Sequence, residues 1–405
     1  MVCKKIGNDI KRRRENILKK ILVVVSDMNT GGVTSSAINF CNELSKRGEV
    51  INFLNMGKSN KNEEKKLNKE IKHLTLKGKA VYWNLGINDL KYGSLKTKMK
   101  LFFIAILKKL TNHSEKWLNI IFYKYYIEEE YDVVVAFRQC APCYYFVLKC
   151  TKGKKKVGFI HGDINYMGNI STWDLYFNEF DTIACVSDAV KKGFQKRYLK
   201  YKEKFITIYN MFDVERIKQQ AKIKYEGVSI NNKKVNIVTV ARIENETKRI
   251  DIIPKVCKIL KKNMNNRFHW YIIGDGPDLE KDMKLSSQLQ TNDVLTFCGA
   301  IENPYFLINQ ASFTVLPSKT EAYGMVLVES LILGKPVIVS YYPAVKEIIK
   351  DNVTGLIVNQ SIEELTEKIQ LLILNKNELT ILTSNLKKLK IDNDKAYKQF
   401  LKSIS

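Results

Sequence analysis

Glu321 and Glu329 stand on either side of a short turn, Ala322-Tyr323-Gly324, that leads from an apolar run into a helical one. An ionised carboxylate only accepts hydrogen bonds, so it suits the vicinal hydroxyls of a ribose or a sugar. The backbone amides of Tyr323, Gly324, Met325 and Val326, where a helix begins, favour the opposite kind of group, an anion such as phosphate. Gly324 has no Cβ, so a ligand can come close to the backbone there. Phosphate on amides and diols on carboxylates together describe a nucleotide-sugar. The plainer reading makes Glu321 a helix N-terminal charge and Glu329 a solvated helix-face residue.

Other residues extend this chemistry. Arg242 and Lys248 follow the apolar run Val235–Val240, and Lys248 stands after a polar loop where the sequence suggests a helix start. An Arg fork and a Lys point charge at a strand end make a clamp for a diphosphate, the alternative being surface charge in a Lys-rich chain. His161 directly follows the apolar end of residues 156–160, the position from which a doubly wound sheet presents catalytic groups. Gly31 and Gly32 lie between a strand and a helix and allow close approach to a helix N-terminus. Cys140-Ala-Pro-Cys143 is a lone CxxC pair; zinc needs a second pair or nearby His, so no metal is expected. Asp392-Asn-Asp394 sits in a polar tail, away from any expected strand end.

These groups need a scaffold that ends several strands near one another. Apolar runs at 21–25, 133–136, 156–160, 182–186, 206–208, Val235–Val240, 270–273, 294–297, Phe313–Leu316, Val337–Ser340 and Gly355–Val358 alternate with helical spacing. Examples are Ala37, Phe40, Cys41 and Leu44 ahead of Gly48, and the stretch from Met325 to Leu333. That alternation predicts α/β domains with parallel sheets. Residues 58–80 read as loop and helix without clear function.

The stretch from Leu316 to Ser330 resembles the E-x7-E signature of family 4 retaining glycosyltransferases, with Ala322 where that family often has Gly. The other marks follow in the family's order: Gly31-Gly32, Ile160-His161-Gly162-Asp163, the Tyr209-Asn210 exit, and Arg242 with Lys248. The resemblance implies two facing Rossmann-like domains, the glycosyltransferase B fold, with an interdomain cleft. It implies a donor in the C-terminal domain and an acceptor on the N-terminal one, hence domains at 1–212 and 213–388 and a last helix, 389–405, returning to the first. By the same resemblance His161 lies against the transferred sugar, Gly31 and Gly32 face the diphosphate and acceptor, and Gly299 borders the nucleobase. Glu321 would hold sugar hydroxyls and Glu329 the ribose diol. The expected reaction moves a sugar from a nucleoside diphosphate to a glycan or polyprenyl-linked acceptor with retention, without metal or cofactor. Open alternatives are a protein or soluble acceptor, or a noncatalytic nucleotide-sugar-binding partner subunit.

Composition bounds the setting. A chain of 405 residues with 45% hydrophobic content supplies two cores. Its eight Cys lie scattered in apolar segments, which fits reduced thiols. No apolar run approaches the roughly 20 residues of a membrane span, so a cytoplasmic protein is expected. A formal charge of +25 points to an anionic partner. No nucleic-acid module accompanies it. A basic tail (Lys4, Lys5, Lys11, Arg12, Arg13, Arg14, Lys19, Lys20) and an amphipathic stretch carrying Lys96, Lys98, Lys100, Lys108 and Lys109 fit a peripheral seat on an anionic membrane face, or a charged outer face on a packed helix.

Overall fold

The computed structural model describes residues 18–57, 60–76, 99, 126–166, 174–264 and 266–405. The five lysines of the amphipathic stretch and the basic tail up to Arg14 lie outside the described residues. Among the described residues no helix is long and apolar enough to cross a membrane. The chain divides into two compact units, one taking residues up to Val186 with Val190–Phe212 and Asn393–Ser405, the other Ser187–Ala189 and Asp213–Asp392.

The first unit runs β1 (Lys20–Val25), α1 (Gly32–Lys46), β2 (Val50–Asn55), β3 (Lys72–Thr75), β4 (Ile127–Ala136), α2 (Ala141–Cys150), β5 (Thr151–Ile160), β6 (Thr182–Cys185), α3 (Asp188–Arg197) and β7 (Phe205–Thr207). Its sheet has the order β3-β2-β1-β4-β5-β6-β7, with every described pair parallel. The buried face of α1 is the one its spacing indicates, with Ala37, Phe40, Cys41 and Leu44 all inside. Gly48, at φ +92°, takes the left-handed conformation that stops a helix. Two strands are absent from the sequence reading. In β2, Asn52 and Asn55 interrupt the apolar run, yet both are buried, and Asn52 donates to the Tyr131 hydroxyl at 2.8 Å. β3 is an edge strand whose Lys72 and His73 face solvent, so it lacks an apolar signal. β4 and β5 also start earlier than their apolar halves, because the charged segments pair there, Glu130 opposite Lys152.

Phe40, Phe137 and Phe159 form the aromatic centre of this unit, with ring centroids 4.6–5.5 Å apart. Phe400 of the C-terminal helix, Asp394–Ile404, closes it, 5.1 Å from Phe40. Asn393 fixes that helix by exchanging two 2.9 Å hydrogen bonds with the Phe212 backbone. Asp394 pairs with Arg47 at 2.8 Å, so the Asp-x-Asp sequence has a structural use.

The second unit runs α4 (Val214–Gln220), β8 (Val235–Val240), α5 (Asn245–Lys248), α6 (Ile252–Met264), β9 (Phe268–Ile273), α7 (Leu279–Gln288), β10 (Leu295–Phe297), α8 (Tyr305–Gln310), β11 (Phe313–Leu316), α9 (Met325–Ile332), β12 (Val337–Ser340), β13 (Gly355–Val358), α10 (Ile362–Leu374) and α11 (Lys376–Lys387). Its parallel sheet has the order β10-β9-β8-β11-β12-β13. Fully buried Trp270 ties the middle together. Its indole donates to the Thr239 hydroxyl at 3.0 Å, and that hydroxyl donates to the Val315 carbonyl at 2.6 Å, so three adjacent strands share one polar thread inside an apolar core. Every polar atom of the thread has a partner, which is the condition for burying it cheaply.

Candidate active site

Strand order reverses direction between β8 and β11 in the second unit, and between β1 and β4 in the first. Loops leaving the carboxyl ends on either side of such a point diverge and open a crevice for ligands.

In the second unit the two diverging loops are stitched by the Lys319 amide, which donates to the Thr247 carbonyl at 2.8 Å. This brings Lys248 and Glu321 into an ion pair of 2.7 Å, with side chains only 20% and 17% exposed. Ser318 adds its hydroxyl to the same Glu321 oxygen at 3.0 Å. Lys248 does not start a helix as the sequence suggests; it ends the one-turn α5, because Arg249 follows in a left-handed conformation at φ +53°. Arg242 stands apart, its side chain 67% exposed and its Nε 3.9 Å from Glu244. The loop holding Arg242 is locked from below: a Cβ on Gly274 would lie 1.8 Å from the Ala241 carbonyl, and one on Gly276 2.2 Å from that of Ile243. Gly299, at φ +69° with open space where a side chain would go, accepts from the Gly274 amide at 2.8 Å.

Gly324 caps α9 at φ +98°, and a Cβ there would lie 2.5 Å from the Tyr342 hydroxyl. The glycine is therefore required by the turn itself as well as by any approaching ligand. Tyr342 donates to the Tyr323 carbonyl at 3.2 Å and so fixes the turn that carries the Tyr323–Val326 amides. The first-turn amides of a helix have no intrahelical acceptor, and here they begin where Met325 and Val326 follow the cap. Glu329 lies in the same helix but is only 6% exposed, which removes the solvated-face reading. Tyr305 donates to its Oε1 at 3.1 Å. Burial raises the Glu329 carboxyl to about 7, against the opposing effects of the Tyr305 hydrogen bond and the Arg216 charge.

The first unit places Gly31 ahead of α1 at φ +159°, at the edge of the range that side chains rarely adopt, with no atom within 4 Å of where a Cβ would stand, and Gly32 as the first helical residue. Arg138, leaving β4, pairs at 2.9 Å with Asp27, leaving β1. His161 leaves β5 and stacks near Phe159 and Phe137, at centroid distances of 5.7 and 4.8 Å. Its amide donates to the Gln139 side chain. Its Nε2 is buried without a hydrogen-bond partner among the described residues. Burial lowers the imidazole to about 3, partly opposed by a hydrogen bond with the Phe137 backbone, while the Arg138 charge lowers it further. It is a neutral ring at ordinary pH. Cys140 and Cys143 are free thiols, and among the described residues no three His, Cys, Asp or Glu side chains gather as metal ligands.

Sequence reasoning singled out the glutamates, Lys248, His161 and the glycines but missed their supports: Tyr305, Arg216, Ser318, Gln139 and the Asp27–Arg138 pair. Only Tyr305, after Asn303-Pro304 at a helix start, leaves a local trace; the others are common residue types in polar loops or, for Arg216, on a short polar helix.

Residues 221–389 match the family model described as Glycosyl transferases group 1. A protein of the cps region of Klebsiella pneumoniae is 27% identical over 54% of this chain and 55% of its own length, so only about half of that relative is matched. An uncharacterised glycosyltransferase of Haemophilus influenzae is 23% identical over 92% of this chain and 95% of its own. Among solved structures, TarM of S. aureus, bound to fondaparinux, alpha-GlcNAc-glycerol and UDP, superposes with TM-score 0.69 at 15% identity, covering 96% of this chain and 100% of that one. The match to the Glycosyl transferases group 1 model falls within the second unit, and the two parallel-sheet Rossmann-like units share the glycosyltransferase B fold.

Proposed function

We propose that the protein is a retaining glycosyltransferase that moves a sugar from a nucleoside-diphosphate sugar to a hydroxyl of a lipid-linked or growing surface glycan. The observation that carries this reading is the switch point of the second sheet, where the Lys248–Glu321 pair joins the two diverging loops and the buried Glu329 follows on α9, all inside the matched region. The cps-region relative supports a surface-polysaccharide product, and the UDP and glycan in the TarM structure support the substrate classes.

In this reading the second unit holds the donor. Leaving-group charge grows on the diphosphate in the transition state. Lys248, Arg242 and the Tyr323–Val326 amides stabilise it, and each preorganised donor is commonly worth a few kcal/mol. Glu321 accepts from sugar hydroxyls, and once substrate arrives Lys248 exchanges part of its bond with Glu321 for a phosphate oxygen. Glu329 takes the ribose diol, with Gly299 near the base. The first unit supplies the acceptor face, with Gly31 and Gly32 offering close backbone approach and the neutral His161 facing a sugar hydroxyl. Cationic side chains and amides fill the role that a metal would otherwise take. The charge of +25 supports a seat on an anionic membrane face.

A panel of nucleoside-diphosphate sugars, assayed for donor hydrolysis and for transfer to polyprenyl-linked acceptors with and without chelator, tests this. Turnover of at least one donor, retained in chelator and with the anomeric configuration kept, is expected. Binding without any turnover would turn the reading to a noncatalytic partner subunit.

A further inference from the structure

Three helices of the second unit meet around Glu329: α4, α8 and α9. Each brings one polar side chain to the junction. Glu329 comes from α9, Tyr305 from α8 with its hydroxyl 3.1 Å from Glu329 Oε1, and Arg216 from α4 with its charge acting on the carboxylate. Tyr305 is 8% exposed and Glu329 6%, so the bond between them is made away from water. Arg216 is set by Asp213, the N-cap of α4, which accepts from the Arg216 amide at 3.2 Å and faces its Nε at 4.0 Å. Strand β12, also packed on α9, contributes Val337 to Ser340 and no ionisable group.

A buried carboxylate with one neutral donor is held in orientation by that donor, because its alternatives are a rotated rotamer or a proton. We propose that Tyr305 is a positioning residue for nucleotide binding: its hydroxyl aims the Glu329 carboxylate so that the remaining lone pairs accept a ribose diol. The proposal rests on the nucleotide-sugar reading of the site. It differs from a packing role for Tyr305 in a checkable way. The hydroxyl favours the ionised carboxylate, and Arg216 acts in the same direction, so the fraction of enzyme ready to accept hydroxyls depends on both. Removing the hydroxyl alone leaves the ring, its volume and the helix contacts in place.

Calorimetric titration of the full chain with UDP across neutral pH, with inorganic pyrophosphate as a probe lacking ribose, tests it. In the wild type, UDP affinity rises as Glu329 ionises. Tyr305→Phe weakens UDP about tenfold at neutral pH, as expected for one hydrogen bond to a charged group. It also moves the pH rise upward, recovers at alkaline pH, and leaves pyrophosphate affinity unchanged. In a Glu329→Gln background the same substitution has no further effect, since the residue it acts through no longer titrates. An unchanged UDP titration for Tyr305→Phe overturns the proposal, as does a loss that is equal at all pH values and in both backgrounds. A wild type that binds UDP, ADP and GDP no better than it binds pyrophosphate removes the nucleotide reading itself and this inference with it, and that outcome shows before any variant is made.

Discussion

Each sheet has an ion pair across its switch point, Asp27–Arg138 at 2.9 Å in the first unit and Lys248–Glu321 at 2.7 Å in the second. Both join the loops that leave two strands, and both are partly shielded from water. Their neighbours differ. Beside the first pair stands a neutral imidazole stacked on phenylalanines; beside the second stand helix-start amides and a buried carboxylate. The first arrangement holds shape, because its charges cancel and the nearby titratable ring stays uncharged. In the proposed reading, the second holds groups that change partners or charge when an anionic ligand arrives. An ion pair at a switch point is therefore no signature by itself; what separates a tie from a binding device is whether its neighbours need a charge from it.

The largest effect separates the two pairs. Glu321→Ala should lower turnover by about 10²–10³-fold, the scale of losing one preorganised group at a transition state, with free nucleotide still bound. Asp27→Asn should change turnover by less than about tenfold and stability by up to about 1 kcal/mol, as for other ties of this kind. Steady-state kinetics and thermal melts on both variants check the contrast, and equal losses of turnover would erase it.

Glu329 comes next. Its folded-state pKa of about 7 lies above the usual carboxylate value, so the folded protein holds the proton more tightly than the unfolded chain does. The cost of ionising it is absent below about pH 4.5, grows through the window up to about 7, and is fully present above that. Glu329→Gln removes it. The variant should be about 3 kcal/mol more stable than wild type at pH 8, equal near pH 4.5, and weaker for nucleotide. Urea melts at the two pH values decide; a pH-independent difference would show that burial does not shift this group.

His161 gives the opposite slope. Its folded-state pKa of about 3 lies below the unfolded value, so the unfolded chain takes up the proton first. Stability from keeping the ring neutral is whole above about pH 6.5 and is lost as pH falls toward 3. At pH 5 the loss should reach about 2 kcal/mol, and His161→Gln should lose that acid sensitivity. A wild type and variant with parallel stability profiles between pH 5 and 7 would contradict the sealed environment of the ring.

Most of the two-sheet fold was legible because buried parallel strands are short apolar runs, and the strands Phe313–Leu316, Val337–Ser340 and Gly355–Val358 have the bounds their sequences suggest. β2 and β3 were not, since buried Asn52, bonded to Tyr131 across the sheet, and buried Asn55, bonded to the Gly57 amide, break the apolar run of one, and the other is an edge strand with exposed Lys72. At the site, residue types with strong chemistry and tight spacing stood out, Glu321 and Glu329 above all. Their supports did not, because Tyr305 and Arg216 meet Glu329 only through packing of helices distant in sequence, and Ser318, three residues before Glu321, is a common loop residue type. The helix-ending place of Lys248 depends on the left-handed turn at Arg249, for which the sequence gives no glycine as a clue.

The smallest expected effect compares the two loop glycines. Gly31 stands at φ +159°, at the edge of the range that side chains rarely adopt, but no atom lies within 4 Å of where its Cβ would stand, so Gly31→Ala should cost backbone strain alone, about 1 kcal/mol. Gly324 meets two separate penalties: φ of +98°, and the Tyr342 hydroxyl 2.5 Å from any Cβ. Left-handed backbone costs a side chain roughly 1–2 kcal/mol, and the clash adds to it. Gly324→Ala should therefore destabilise by more than about 1 kcal/mol and disturb the turn bearing the Tyr323–Val326 amides. Tyr342→Phe removes the clashing oxygen while giving up its hydrogen bond to Tyr323. In that background the alanine should cost only the backbone part, so the two substitutions together are less harmful than their sum. Additive costs in the thermal melts would show that the hydroxyl swings aside freely, leaving the left-handed turn alone to demand glycine.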